Sequence, residues 1–328
     1  MVVLSSCGEK NPLMVDVSQI EASVTIERME KQLFDARPGE LERLNKDFLE
    51  RYGELWEVYV SVMLRSGSPK DSMIVVSLDR FISDPTMIQV YQDISATYPD
   101  LDWLKEDLEQ AFRYLRYYYP DAAIPRVVTY NSVFNYGVST FKDQIGLGLD
   151  MYLGPENRTV KKISPEALPQ FLKEKMIKEY MVVDIMRGWI EANYLDAFKG
   201  QDFLSRMIHE GKILYAMDAL LPADPDHIKI RYTPEQFGWC LQNEKNIWRD
   251  IVDKKLLYTT DQMEIRKFCD ESPFTSGLPQ NSPGRVGNWL GWMIVRAYMK
   301  DHPELKLPDL LDEKNERKIL KSYKPPKE

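Results

Sequence analysis

Histidine is scarce in this chain: His209, His227 and His302 are the only three in 328 residues. No two are three or four positions apart, and His209-Glu210 lacks the second histidine of HExxH, so the paired imidazoles of a zincin helix are missing. The GxSxG elbow, the P-loop and GxGxxG are missing as well, which removes the commonest local signatures of acyl transfer and nucleotide binding. Cysteine occurs three times, at Cys7, Cys240 and Cys269, with no CxxC, so a structural zinc site is not expected. Basic residues are outnumbered, 43 Lys and Arg against 51 Asp and Glu, and the net charge is −8. Phosphate contacts need a basic surface, so nucleic acid is excluded as a main partner. There is no apolar run of about 18 residues to span a bilayer, no repeat and no low-complexity block.

What is present suffices for a sizeable core: 44 % of residues are apolar and 29 % charged. The first residues pose a separate problem. Leu4-Ser5-Ser6-Cys7 has the form of a bacterial lipobox, in which small residues let a peptidase reach the bond before a cysteine whose thiol takes diacylglycerol. A signal peptide needs a basic start and about 7–15 apolar residues. Only Val2, Val3 and Leu4 stand here, so the reading places the true start upstream and takes residues 1–15 as leader remnant, lipobox and polar tether. Cys7 is the expected lipidation site. Two or three acyl chains would hold the chain stably to a membrane of the cell envelope, facing the periplasm. Cys240 and Cys269 are either a disulfide or two buried thiols.

Residues 16–328 read as a single, mostly helical α+β domain, with a helical half over 24–120, a sheet over 124–154 and a second helical half over 165–315. Val24–Ile26 reads as a short strand and Met29–Phe34 as a brief helix. Apolar spacing at Leu41, Leu44, Phe48, Leu55, Tyr59 and Met63 predicts one helix from Gly39 to the Ser66–Pro69 stop; Leu101 to Leu115 predicts another. The texture then changes to Val, Ile, Thr, Tyr and Phe, giving a small antiparallel or mixed sheet with strands at 126–131, 133–140 and 144–150. Gly146 and Gly148 alternate in the last strand, which means a twist or a close backbone approach. Helices are expected at 170–198, 203–221, 234–257 (opened by Thr233-Pro234) and 283–299 (capped by Ser282).

Two polar constellations stand out. In KEYMVVDIMRGWIEANYLD, Asp184, Arg187 and Glu191 share a helix face among apolar neighbours. They are either an ion-pair network or the floor of a polar cleft. In SPGRVGNWLGWMIVRAYMK, Gly284, Gly287 and Gly291 each cost about 1 kcal/mol relative to Ala in a helix, so a neighbouring backbone has to come close. Trp289 and Trp292 flank that stripe. Arg285, in the first turn, is disfavoured by the helix dipole and is expected to reach a carboxylate, with Asp150, Asp184 and Asp218 as the choices.

The lipobox, the block FNYGVSTFKDQIGLGLDMYLG, the runs GKILYAMDALLP and WCLQNEKNIWRDIVDKKLLYTTD, and FTSGLPQNSPGRVGNWLGWMIVRAYM together resemble the gliding-motility lipoprotein B family (GldB), over nearly the whole chain from residue 7. The resemblance implies a lipid-anchored envelope protein required for surface gliding, with other gliding-motility or envelope proteins and a membrane as partners, and with no assigned activity. More distantly the chain is similar to predicted zinc-dependent proteases with a zincin-like core. On that likeness the metal helix falls on Val183–Arg187. Val183 has no donor, Asp184 takes the place of the Glu base, and Arg187 sets a cation where Zn²⁺ would sit. The expectation is therefore a non-enzymatic, protein-binding scaffold on a degenerate peptidase-like fold. It has no cofactor, no metal and no catalytic residue. Asp150, Asp184, Arg187, Glu191, Arg285, Trp289 and Trp292 mark the cleft or partner surface, and an extended peptide could lie along the strand near Gly146–Asp150. The alternative is an envelope hydrolase using a metal or paired carboxylates such as Asp150, Asp184, Glu191 and Asp218.

Overall fold

The computed structural model describes residues 11–326. Cys7 and the lipobox lie outside the described residues. The fold is α+β and mainly helical, with one four-stranded mixed sheet among the described residues. The chain packs as two compact units.

The first unit comprises residues 22–110 and 122–195. Its sheet has the order β1-β2-β4-β3, from β1 (Ile26–Arg28), β2 (Arg126–Tyr130), β3 (Val138–Thr140) and β4 (Gln144–Gly148). β1 and β4 both run parallel to β2, whereas β3 runs antiparallel to β4. Central strands covered on both faces are mostly apolar, and β2 supplies Val127, Val128 and Tyr130, all fully buried, with the buried Thr129 hydroxyl between them donating to the Glu27 carbonyl. Helices α1 (Met29–Phe34), α2 (Leu41–Tyr52), α3 (Glu54–Val58), α4 (Ile74–Ser83), α5 (Pro85–Thr97) and the first part of α6 (Asp102–Tyr118) belong here, as do α7 (Arg158–Lys162), α8 (Gln170–Lys173) and α9 (Met181–Asn193). Phe48, Tyr52, Trp56 and Tyr59 pack with Tyr130 in the core.

Three expectations change in this unit. The helix predicted from Gly39 breaks at Gly53, whose φ of 52° and ψ of −117° only glycine adopts freely, and it continues as α3 and a π-helical turn over Tyr59–Met63. The strand predicted from residue 133 begins at Val138, because residues 132–137 form a turn. The helix predicted over 170–198 is interrupted. Ile177 is extended, and the Met176 carbonyl accepts from the Gly154 N–H at 2.7 Å in place of a helical partner.

The second unit comprises residues 11–21, 111–121 and 196–326 of the described chain. It is helical: α10 (Phe203–Leu220), α11 (Asp226–Lys229), α12 (Pro234–Asp253), α13 (Gln262–Cys269), α14 (Val286–Asp301), α15 (Leu307–Asp312) and α16 (Glu316–Leu320). Thr233 caps α12 as expected, its hydroxyl accepting from the Gln236 N–H at 3.2 Å. α10 and α14 form the centre, and their glycines meet. A Cβ on Gly211 would lie 2.3 Å from the Gly291 carbonyl oxygen, and one on Gly291 only 1.9 Å from that of Met207. Gly284 likewise faces the Ser272 carbonyl, and Gly287 the Phe268 carbonyl. The close backbone approach inferred from the glycine stripe is therefore present at all three positions. α14 starts later than predicted: Ser282 is not its cap, and Arg285 precedes the first turn with φ at 60°. Cys240 and Cys269 are free, buried thiols.

Candidate functional site

In the sheet unit the polar centre is Asp150, in the short 3₁₀ turn after β4 and wholly buried. Its carboxylate accepts from the Ser132 N–H at 2.8 Å, the Ser132 hydroxyl at 2.9 Å and the Phe134 N–H at 2.5 Å. Those donors converge because Val133 and Phe134 both adopt left-handed backbone, with φ of 58° and 57°. For L residues, and for β-branched Val above all, that conformation is strained, so the carboxylate is the template holding the turn. Burial pushes the Asp150 carboxyl up to about 6, and the three hydrogen bonds oppose the rise. Gly148 and Gly146 belong to the same arrangement. A Cβ on Gly148 would strike the Tyr136 carbonyl at 2.1 Å, and one on Gly146 the Tyr130 ring at 2.6 Å. The two glycines thus admit the chain's own turn and aromatic ring. β4 is an inner strand with β2 and β3 on its two sides, so the peptide expected along Gly146–Asp150 finds no free edge there.

α9 packs on β3. A Cβ on Gly188 would come within 3.3 Å of Val138 and 3.4 Å of Thr140. Its apolar face, Met181 to Ile190, is buried, while Arg187 and Glu191 are partly exposed and paired at 2.8 Å. Asp184 accepts from the Tyr152 hydroxyl at 2.8 Å. The charged ladder therefore lies on the less buried side of the helix, with Asp184 tied to Tyr152. An exposed i,i+4 pair of this kind adds about 0.3–0.5 kcal/mol, too little to fix a helix in place.

Arg285, Trp289 and Trp292 belong to the helical unit and are buried there, Arg285 at 8 % exposure and both tryptophans at 0 %. Arg285 reaches a carboxylate, but none of the three expected: its Nε lies 3.3 Å from Glu271, and its NH2 donates to the Ile230 carbonyl at 2.7 Å. Asp218, one of those expected, is held by another arginine. Arg296 Nε and NH2 grip it at 2.7 and 2.6 Å, and NH1 and NH2 grip Asp226 at 2.6 and 2.8 Å. The Trp292 indole donates to Asp218 at 2.8 Å, and Lys229 donates to it at 3.0 Å. The guanidinium stacks 3.9 Å from the Trp292 ring centroid. Burial disfavours the charge on Asp226, but Arg296 outweighs it and holds that carboxyl below its usual range. This cluster of two carboxylates and two cations is neutral and joins α10, α11 and α14. Sequence reading passed over Arg296, Lys229 and Asp226. The available signal was the Trp292–Arg296 spacing of four on the face opposite Asp218.

Asp150 has three donors, Asp218 and Asp226 are bridged by cations, and burial pushes both thiols far up, away from reactive thiolate. Among the described residues, no three of His, Cys, Asp or Glu gather as a metal would require. No described helix is long and apolar enough to cross a membrane.

Nothing matches among curated proteins or solved structures. The family model described as gliding motility protein GldB matches residues 10–325, which takes in nearly all of both units. By that match, the chain belongs to the gliding motility protein GldB family.

Proposed function

We propose that this chain is a lipid-anchored protein of the cell envelope that serves gliding motility as a non-catalytic scaffold, binding other motility or envelope proteins. Cys7 supplies the anchor. The sheet unit supplies a degenerate peptidase-like frame, in which α9 packs on the antiparallel strand β3 and carries Val183, Asp184 and Arg187 where a zincin helix would carry His, Glu and His. The observation that carries the reading is the placement of the α9 charges. Arg187 pairs with Glu191 on the less buried side, and Asp184 is hydrogen-bonded to Tyr152. An arginine at that place repels a divalent cation, and its pair with Glu191 sets a mixed charge on the surface a partner would meet. Arg285, Trp289 and Trp292 serve as core, which leaves the Asp184–Glu191 face as the partner surface.

The test is crosslinking in intact gliding cells from a photoreactive residue at Glu191, with mass spectrometry of the captured protein. The reading predicts one defined envelope protein, captured less when Arg187 is replaced by Ala. Capture of nothing, or capture indifferent to Arg187→Ala, overturns α9 as the partner surface.

A further inference from the structure

We infer that the chain rests on the bilayer through one end of the helical unit: the turn at Leu13–Met14 together with the segment Ala223–Pro225 that follows α10. The inference rests on the lipid anchor at Cys7 proposed above and adds which surface meets the lipid.

The argument begins with chain length. From Cys7 to Asn11 there are four residue steps, which span at most about 14 Å whatever their conformation. Asn11 is fixed to the body of the unit. Its side-chain amide donates to the Pro222 carbonyl at 3.1 Å, and its own carbonyls receive the N–H groups of Leu13 and Met14 at 3.0 Å. Beyond it, the Val15 carbonyl accepts from the Tyr114 hydroxyl at 3.3 Å, and the Glu21 carbonyl from Arg116 at 2.6 Å. Residues 11–21 are therefore part of the unit, and an acylated Cys7 holds Asn11, which touches the turn after α10, within about 14 Å of the lipidated residue.

The surface at that end is suited to lipid. Met14 is 55 % exposed, Pro12, Ala223 and Pro225 are exposed, and Leu13 is half-buried. No Lys or Arg occurs in 11–21 or 222–225, while Asp16, Glu21 and Asp224 do. Attraction to anionic lipid is therefore not the basis of contact. The contact is apolar, and it acts as the second attachment that steadies an acyl anchor. The opposite end of the unit provides an internal control. α10 has 18 residues and is about 27 Å long. At its N-terminal end the Phe203 N–H donates to Thr259, and Gln262 to the Gln201 carbonyl.

The experiment uses the full acylated chain in vesicles of phosphatidylcholine, and separately of phosphatidylethanolamine with phosphatidylglycerol. Nitroxide labels are placed at Met14→Cys, Ala223→Cys and Gln262→Cys, one at a time. Collision with oxygen reports lipid contact, and collision with a water-soluble nickel chelate reports solvent. The expected result is loss of chelate collision at Met14 and Ala223 in both lipids, unchanged by salt, with Gln262 open to the chelate throughout. Labels at Met14 and Ala223 that stay open to the chelate on vesicle-bound chain, or protection at Gln262, overturn the docking surface and leave the anchor intact. Failure of the wild-type chain to carry acyl mass at Cys7 or to sediment with vesicles overturns the anchor, and this inference with it.

Discussion

Replacing Asp150 by Asn keeps the side chain's shape and removes its charge. The Asn oxygen still accepts from the Ser132 N–H, and the Ser132 hydroxyl can rotate to accept from the new amide. The Phe134 N–H, 2.5 Å from Oδ2 in the wild type, then faces an N–H₂ group and has no acceptor. An orphaned buried donor costs about 1–3 kcal/mol. Against this, the substitution removes a charge that burial disfavours. A carboxyl raised from 3.8 to about 6 reflects about 3 kcal/mol of preference for its neutral form. The sign follows: the folded state binds the proton more tightly than the unfolded state. That contribution approaches its full size below the unfolded value of 3.8 and is lost as pH rises through about 6. Tyr59 and Tyr130, the buried phenols facing Asp150, are pushed up by burial and stay neutral throughout this window. Urea unfolding of wild type and Asp150→Asn, followed by circular dichroism from pH 4 to 7, isolates the group because other titrations cancel in the difference. The wild-type advantage is expected to grow by about 2.4 kcal/mol from pH 7 to pH 4, mostly between 6 and 4. A difference that is flat across this range refutes the assignment of Asp150 as a buried, proton-binding template of the turn.

Three further outcomes follow from the packing. Gly291→Ala places a methyl 1.9 Å from the Met207 carbonyl oxygen, so α10 and α14 have to part; a gain of about 1 kcal/mol in helix propensity is outweighed by overpacking, and thermal unfolding is expected to show a net loss of about 2 kcal/mol. Arg296→Met leaves Asp218 and Asp226 with Lys229 as their remaining cation, and a loss of about 3–5 kcal/mol is expected in chemical denaturation. Arg187→Ala removes the ion pair with Glu191, and colony spreading is expected to be lost in a variant that still unfolds cooperatively; a folded variant that supports normal spreading contradicts the role given to α9.

The sequence carried much of the fold, because the elements that obey one local rule are legible. α6, α10 and α12 follow apolar spacing with clear ends, and α1 and β2 lie where composition puts them. Misreadings occurred where a distant group overrides local preference. Val133–Gly137 looks like strand, since Val, Phe and Tyr favour extended backbone, but Asp150, sixteen residues on, bends it through the Phe134 N–H. The long helix at 170–198 fails at Ile177, where Gly154 captures the preceding carbonyl. The glycines of 284–291 announced close approach, but not that the opposing surface would be the backbone of α10, of α13 and of the segment after α13. Arginine pairing was the least legible feature. Arg285 chose Glu271, fourteen residues earlier, and Asp218 went to Arg296, since long side chains pair through tertiary placement that spacing does not encode.

The central claim is that the side chains in the place of a peptidase site hold structure and a partner, and perform no chemistry. The most direct test incubates the purified full chain with a diverse peptide mixture, with and without added Zn²⁺, and follows cleavage by mass spectrometry beside a melting curve with and without chelator. The account predicts no new peptide termini under either condition and the same melting temperature in chelator. Cleavage that vanishes in a folded Asp184→Asn or Asp150→Asn variant, or a melting temperature lowered by chelator, contradicts it.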